Sequence, residues 1–219
     1  MAGLNVARLF DYYRSSAAYR VRIALNLKGL EYEAVPVDLA AGAQKGEEYR
    51  ALNPQGFVPM LDIDCQRLTQ SLAIIDYLDA TRPEPALVPT DPGDAAHVRA
   101  LALTVACDIH PLGNLRVLKY LVGPLGQPEE AKKAWIARWI GDGFSALEAL
   151  AAPRAGRFLF GDDPSLADIC LVPQMYNARR FDVPLDDVPL LVRIDEEARG
   201  LEAFAAAHPD RVAPAGASV

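Results

Sequence analysis

Two hydroxyl groups and an arginine stand side by side near the start of the chain, where an extended segment is predicted to turn into a helix. Arg14, Ser15 and Ser16 follow an apolar and aromatic run and precede apolar residues at helical spacing. A serine at such a boundary is a typical N-cap, and the backbone N–H groups behind it attract anions. The sequence predicts a thiol- or anion-binding turn at Ser15 or Ser16, or else a serine that only caps its own helix.

The same boundary is part of a longer alternation of strands and helices that has to position these side chains. The predicted order is a strand over 7–12, a helix over 16–28, a strand over 31–37, a hairpin of 60–63 with 67–69, and a helix over 71–81. This order indicates an α/β unit with a mixed sheet.

A second domain is predicted after a proline-rich segment over residues 82–93, which we interpret as a linker. Beyond it the apolar residues recur at helical spacing, as in the stripe Val98, Leu101, Val105, Ile109 and Leu112. The predicted domains are therefore 1–84, of α/β type, and 91–219, all helical. In the second domain, Ser165 and Asp168 fit a capping box with a structural role.

The composition excludes several classes of function. The 219 residues carry a formal charge of −7, which disfavours nucleic acid as a partner. Cys65, Cys107 and Cys170 are too far apart to suggest a disulfide framework or a metal site, and the last two are expected to be buried. No apolar run is long enough to span a membrane, and the N-terminal residues lack the apolar core of a signal peptide. We therefore expect a cytoplasmic protein with no membrane partner.

Two further segments of the first domain could bind an extended, charged ligand. Val58-Pro59 precedes the hairpin, and a cis bond there would leave the Val58 backbone available for pairing. Gln70 and Ser71 stand at the start of the next helix, where an amide and a hydroxyl suit a carboxylate. Ser71 can equally be a plain N-cap.

Taken together, these segments resemble the cytosolic glutathione transferases, in which a thioredoxin-like domain precedes an all-helical one. The closest resemblance is to the zeta class, which includes maleylacetoacetate and maleylpyruvate isomerases. It rests on the runs Arg14 to Leu25, Ala51 to Pro54, Gln70 to Leu78, Cys107 to Leu112 and Leu171 to Gln174. One departure stands out, because Ala17 stands where the family commonly has a cysteine. A mechanism that needs a protein thiol at that position is excluded.

The resemblance implies a role for each candidate residue. Ser15, with Ser16 beside it, would bind the glutathione sulfur; Val58 and Pro59 would pair with its backbone; Gln70 and Ser71 would hold its γ-glutamyl carboxylate; Gln44, His110 and Asn114 match further contacts. Arg14, Arg116 and Arg180 match positions that bind substrate carboxylates, although Arg116 is replaced in some maleylacetoacetate isomerases. For the distal arginines, among them Arg179, the alternative is a solvated surface position, and for His110 a place in the core.

The resemblance predicts a glutathione-dependent cis–trans isomerase of maleylacetoacetate or maleylpyruvate, with glutathione as cofactor, a small dicarboxylate as substrate and a homodimeric assembly. A glutathione transferase or dehalogenase that acts on small α-halo acids is a second hypothesis, since the same thiolate and arginines would serve a displacement. A non-catalytic interaction module of the same fold is a third. The combination of Arg14, Ser15, Gln70 and Ser71 counts against it.

Overall fold

The computed structural model describes residues 6–214 and groups them into two units. The first unit consists of residues 6–86 together with 201–214, and the second of residues 87–200. The C-terminal residues group with the first unit because the side chains of Arg22 and Asn26 donate to the carbonyls of Ala207 and Ala203. The boundaries 1–84 and 91–219 stay predictions, and the grouping observed here differs from them at the C-terminal end.

The first unit is a four-stranded mixed sheet with helices. Its elements are β1 (Ala7–Asp11), α1 (Ser16–Leu27), β2 (Tyr32–Pro36), α2 (Glu47–Leu52), β3 (Met60–Ile63), β4 (Gln66–Thr69), α3 (Ser71–Thr81), α9 (Glu202–Ala206) and α10 (Pro209–Val212). The strand order is β2-β1-β3-β4, with β1 parallel to β2 and antiparallel to β3. The α/β unit predicted from the sequence is confirmed, and the predicted strands and helices agree with the observed bounds to within one residue.

The β3–β4 hairpin forms because two consecutive residues accept left-handed backbone conformations. Asp64 and Cys65 have φ values of 50° and 60°. Positive φ at both central positions matches the twist of a two-residue hairpin. The side chain of Asp64 also accepts hydrogen bonds from Arg82 and Tyr77, which hold the turn against the end of α3.

Helix α1 is the central helix of the first unit and packs against α3 and α9. Its Val21, Ile23 and Leu25 are fully buried. Two arginines of the same helix, Arg20 and Arg22, are only 2% and 1% exposed. A buried guanidinium is costly without partners, so the surroundings of these two side chains matter for the site.

The second unit is helical. Its α-helices are α4 (Pro92–Leu103), α5 (Leu115–Val122), α6 (Glu129–Ala151), α7 (Leu166–Arg180) and α8 (Pro189–Arg199). A π-helical segment, Thr104–Ile109, and a 3₁₀ turn, His110–Gly113, connect α4 to α5. The predicted stripe is confirmed at Val98, Leu101, Val105 and Ile109, which are 0–1% exposed.

Two local predictions in this unit have different outcomes. The capping box of α7 is confirmed, because Ser165 Oγ accepts from the backbone N–H of Ala167 and Asp168 accepts from that of Ser165. The burial predicted for Cys107 is wrong, since the irregular π-helical turn carries it on the exposed side, whereas Cys170 is buried as expected.

Among residues 6–214, no helix is long and apolar enough to cross a membrane.

Candidate functional site

Ser15 is the N-cap of α1. Its φ and ψ are −71° and 116°, and its Oγ accepts a hydrogen bond of 3.2 Å from the backbone N–H of Ala18. A hydroxyl has one proton and two lone pairs, so an Oγ that accepts from the cap can still donate to a ligand. Ser15 is half-exposed, whereas Ser16 is 4% exposed as the first residue of the helix. Ser15 is therefore the more accessible of the two hydroxyls.

The turn that carries Ser15 is held by a buried arginine on the helix behind it. Arg22 Nη2 donates to the carbonyl of Tyr13 at 2.9 Å, and the N–H of Ser15 donates to the carbonyl of Tyr12 at 2.8 Å. The guanidinium of Arg14 lies over the ring of Tyr13, 5.1 Å from its centroid. The uncharged first turn of α1 leaves its positive end available to an anion.

The Val58-Pro59 peptide bond is cis, which the sequence alone left open. The preceding carbonyl, that of Phe57, accepts from Tyr49 Oη at 2.7 Å and from Asn53 Nδ2 at 2.8 Å. Burial raises the pKa of Tyr49 to about 12, so its phenol stays protonated and able to donate. The side chain of Tyr49, in α2, and that of Asn53, the C-cap of α2, thus fix the loop that leads into β3.

Gln44 lies beside this loop, in the 3₁₀ turn Ala43–Lys45. The backbone carbonyl of Gln44 is so close to Gly56 that a Cβ on Gly56 would meet it at 2.7 Å, and Gly56 has a φ of +64°. The side-chain Oε1 of Gln44 is buried, and within residues 6–214 it has no hydrogen-bond partner. The backbone of Gln44 is therefore packed against Gly56, and its side chain is half-buried.

Gln70 and Ser71 form the start of α3. The prediction that Ser71 can act as the N-cap is wrong, because Gln70 occupies the cap position with a left-handed φ of 69° and Ser71 is the first helical residue. Gln70 Nε2 donates to Gln55 Oε1 at 2.8 Å. Ser71 is 6% exposed, and its Oγ lies 3.4 Å from Arg20 Nη1.

The sheet register brings these segments of the first unit to one edge. Phe10 pairs with Met60, and Met60 pairs with Thr69, in antiparallel ladders. The chain leaving β1 toward Ser15, the chain entering β3 after Val58-Pro59, and the chain leaving β4 toward Gln70 are therefore neighbours. The parallel pair of Asp11 with Pro36 adds the chain that leaves β2 toward Gln44.

The remaining candidates lie in the second unit. His110 begins the 3₁₀ turn after the π-helical segment, and Asn114 is the N-cap of α5, where its Oδ1 accepts from the N–H of Arg116 at 3.1 Å. This cap uses the amide oxygen of Asn114 and leaves its nitrogen as the group that can donate. Arg116 itself is exposed.

Arg179 and Arg180 end helix α7 with different surroundings. Arg179 Nη2 lies 2.7 Å from Asp195 Oδ2, whose side chain is fully buried. The guanidinium of Arg180 lies over the ring of Phe181, 4.9 Å from its centroid. Arg179 is thus part of a structural ion pair rather than a solvated side chain, whereas Arg180 can contribute to a binding site.

Comparison with known proteins decides the family. The family models described as "Glutathione S-transferase, N-terminal domain" and "Glutathione S-transferase, C-terminal domain" match residues 9–86 and 133–207. The maleylacetoacetate isomerase of Rhizobium meliloti (strain 1021) is 54% identical, over 96% of this chain and 99% of the relative. The holo structure of a maleyl pyruvate isomerase, described as a bacterial zeta-class glutathione S-transferase, has a TM-score of 0.93 at 46% identity, over 96% of this chain and 100% of that one. The chain belongs to the zeta class of the glutathione S-transferases.

The solved structure of another relative contains glutathione. The maleylacetoacetate isomerase of Anaeromyxobacter dehalogenans 2CP-1, with glutathione bound in its active site, has a TM-score of 0.86 and 44% identity, over 96% of this chain and 98% of that one. The predicted fold, a thioredoxin-like domain followed by a helical domain, is confirmed, and so is glutathione as the cofactor.

Sequence patterns did not identify the buried polar groups that support the Ser15 turn, Ser71 and the Val58-Pro59 loop. Arg20, Arg22 and Asp11 are buried and polar, and Tyr49 and Asn53 secure the Phe57 carbonyl. One signal was present in the sequence, because two arginines stand within the otherwise apolar run from Ala17 to Leu25. Charged residues on the buried side of a helix indicate specific partners.

Proposed function

We propose that this chain is a glutathione-dependent isomerase that converts maleylacetoacetate to fumarylacetoacetate, or maleylpyruvate to fumarylpyruvate. The observation that carries the proposal is the accessible hydroxyl of Ser15 at an uncharged helix N-terminus, on the same sheet edge as Val58 and Ser71. The relatives with these two activities match nearly the whole chain. The non-catalytic module has no use for such an arrangement.

The first unit offers a fitting site for glutathione. We propose that Ser15 holds the sulfur, with Ser16 beside it, and that the Val58-Pro59 segment pairs with the peptide backbone. Gln70 and Ser71 would bind the γ-glutamyl carboxylate. Gln44, beside the Val58-Pro59 loop, is proposed as a further contact because the family resemblance implies it. His110 and Asn114 are proposed as further glutathione contacts, as the family resemblance implies.

The chemistry asks the protein to stabilise a thiolate. Lowering a thiol pKa from about 8.5 to about 6.5 requires roughly 2.7 kcal/mol of preferential thiolate binding. A charge-assisted hydrogen bond from Ser15 contributes about 1.5–3 kcal/mol, and the N-terminus of α1 up to about 2 kcal/mol. These two groups suffice without a metal ion or a histidine.

Bound glutathione supplies a thiolate that adds to the cis double bond and leaves again after rotation about the resulting single bond. We propose that Arg14, Arg116 and Arg180 hold the carboxylates of the substrate during this rotation. A guanidinium presents two parallel donors to a carboxylate, which suits a dicarboxylate held at both ends. Ala17 adds no competing thiol beside Ser15.

We also propose a homodimer located in the cytoplasm. Both rest on membership of the family. Size-exclusion chromatography with light scattering tests the assembly, and a monomer at micromolar concentration would contradict it.

The test of the proposed function is turnover with each substrate in the presence of glutathione. We expect isomerisation without net consumption of glutathione, and kcat/KM for maleylacetoacetate and maleylpyruvate decides between the two. If both substrates are inert and an α-halo acid consumes glutathione stoichiometrically, the chain is a dehalogenating transferase instead. If calorimetry detects no glutathione binding at millimolar concentration, both enzymatic hypotheses fail.

A further inference from the structure

Helix α1 carries two buried arginines with opposite surroundings. Arg22 Nη1 lies 2.7 Å from each carboxylate oxygen of Asp11, and its Nε and Nη2 donate to the carbonyls of Ala207 and Tyr13. Arg20 is equally buried, yet within residues 6–214 its guanidinium makes a single hydrogen bond, from Nη1 to Ser71 Oγ at 3.4 Å. Its Nε and Nη2 are buried and have no partner within residues 6–214.

A buried cation without an anion is costly, because burial removes the hydration of the charge. The buried guanidinium of Arg20 therefore requires a compensating negative charge nearby. The hydrogen bond from Arg20 to Ser71 indicates where this charge would lie. Ser71 is the first residue of α3, an 11-residue helix whose first turn carries no acidic residue. The positive end of a helix and a buried guanidinium thus converge on one hydroxyl.

The hydrogen bond also determines the orientation of that hydroxyl. A guanidinium only donates, so Ser71 Oγ accepts from Arg20. The proton of Ser71 is then directed to a different acceptor. A carboxylate is the acceptor that this arrangement favours, because it satisfies the hydroxyl proton, the N-terminus of α3 and the buried charge together.

We propose that Arg20 is a positioning residue that acts through Ser71 as the buried counter-charge of the γ-glutamyl carboxylate of glutathione. This inference rests on the proposed function, in which Gln70 and Ser71 bind that carboxylate. Arg20 does not touch the ligand, since its unpartnered nitrogens are inaccessible. The proposed role of Arg20 makes the site selective, because a thiol that carries this carboxylate binds more tightly than a thiol that lacks it.

The test compares three ligands by calorimetry: glutathione, γ-aminobutyryl-cysteinyl-glycine, which lacks only the γ-glutamyl carboxylate, and glutathione esterified at its glycine carboxyl. The wild-type chain should bind glutathione about 10- to 100-fold more tightly than the γ-aminobutyryl analogue. Arg20→Met should weaken glutathione and its glycyl ester by a similar factor and leave the analogue nearly unchanged. Arg8→Met, at an exposed arginine paired with Glu33, is the control and should change no Kd.

Equal weakening of all three ligands by Arg20→Met would show a merely structural role and overturn the inference, as would an unchanged Kd for glutathione. Should Arg20→Met fail to fold, Arg20→Gln provides the same comparison, because it also removes the charge, and it too must lose the discrimination. Wild-type protein that binds no glutathione would overturn both this inference and the proposed function. Glutathione binding with intact discrimination but no isomerisation would overturn the proposed function alone.

Discussion

Arg22 and Asp11 form a buried ion pair in which one nitrogen, Arg22 Nη1, lies 2.7 Å from both carboxylate oxygens, with side-chain exposures of 1% and 8%. The pair joins the end of β1 to the middle of α1. Through the carbonyls of Tyr13 and Ala207, Arg22 also holds the turn before Ser15 and the C-terminal residues. One side chain thereby couples the stability of the first unit to the geometry of its site.

Substitution of the two buried arginines should therefore have very different effects on the free energy of unfolding. Arg22→Met leaves Asp11 buried and uncompensated and should lower the free energy of unfolding by about 3–5 kcal/mol. Arg20→Met removes an unpaired buried charge and should change it by less than about 1 kcal/mol, or raise it. Urea denaturation of the two variants without ligand measures the difference. Equal losses would contradict this account of the two side chains.

Ser15→Ala should show separately what the Ser15 hydroxyl contributes to helix capping and to binding of the thiolate. Loss of the Ser15 cap should cost about 1 kcal/mol of stability, because Oγ accepts from the N–H of Ala18. Loss of the donor should raise the pKa of the bound thiol and lower kcat by about 10- to 100-fold. The pH–rate profile and the thiolate absorbance of bound glutathione report the shift. Ser15→Thr keeps the hydroxyl as a control, and an unchanged profile in Ser15→Ala would remove Ser15 from the mechanism.

Arg179 and Arg180 are neighbours whose substitutions should affect different properties. Arg180→Ala should raise the substrate KM at least about tenfold with little change in stability, if it binds a substrate carboxylate as we propose. Arg179→Ala takes one of two arginines from the buried Asp195 and should lower stability by about 1–3 kcal/mol with little effect on KM. Steady-state kinetics and thermal unfolding distinguish them. An equal loss with Arg180→Ala for a neutral thiol acceptor would assign it a structural role.

Gly143 should be intolerant of a side chain because α6 contacts the π-helical segment there. A Cβ on Gly143 would lie 2.2 Å from Ile109 Cγ1, so Gly143→Ala should lower the free energy of unfolding by about 1–3 kcal/mol. The matched control is Gly141→Ala in the same helix, where a Cβ would meet no atom of residues 6–214 within 4 Å apart from the helix's own backbone, and about 0.5–1 kcal/mol should be gained. Chemical denaturation of both variants checks the prediction, and a stable Gly143→Ala protein would refute it.

Tyr49 should make a pH-dependent contribution to stability. Its pKa is raised by burial from 10 to about 12, so the folded state favours the neutral phenol that donates to Phe57. This contribution is fully present below pH 10 and is lost as the pH rises through about 12. Tyr49→Phe should therefore cost about 1 kcal/mol at neutral pH. The difference from wild type should narrow above pH 10 in urea titrations; a constant difference would contradict the assignment.

Several parts of this protein could be predicted from the sequence because their causes are local. The strand before Ser15, the hairpin turn at Asp64 and Cys65 and the capping box at Ser165 depend on residues within a few positions of each other. The family could also be assigned this way, since its motifs are contiguous runs that need no spatial information.

The tertiary structure decided which of these residues meet and which charges are satisfied. The register of Phe10, Met60 and Thr69 brings the Ser15, Val58 and Gln70 segments to one edge, and no local pattern encodes that register. Arg20 and Arg22 are the same residue type two positions apart on one helix, yet within residues 6–214 Arg22 bonds to the carboxylate of Asp11 and Arg20 to the hydroxyl of Ser71. Burial and partners arise from segments distant in the chain, so chain spacing alone could not distinguish an arginine paired with a carboxylate from one bonded to a hydroxyl.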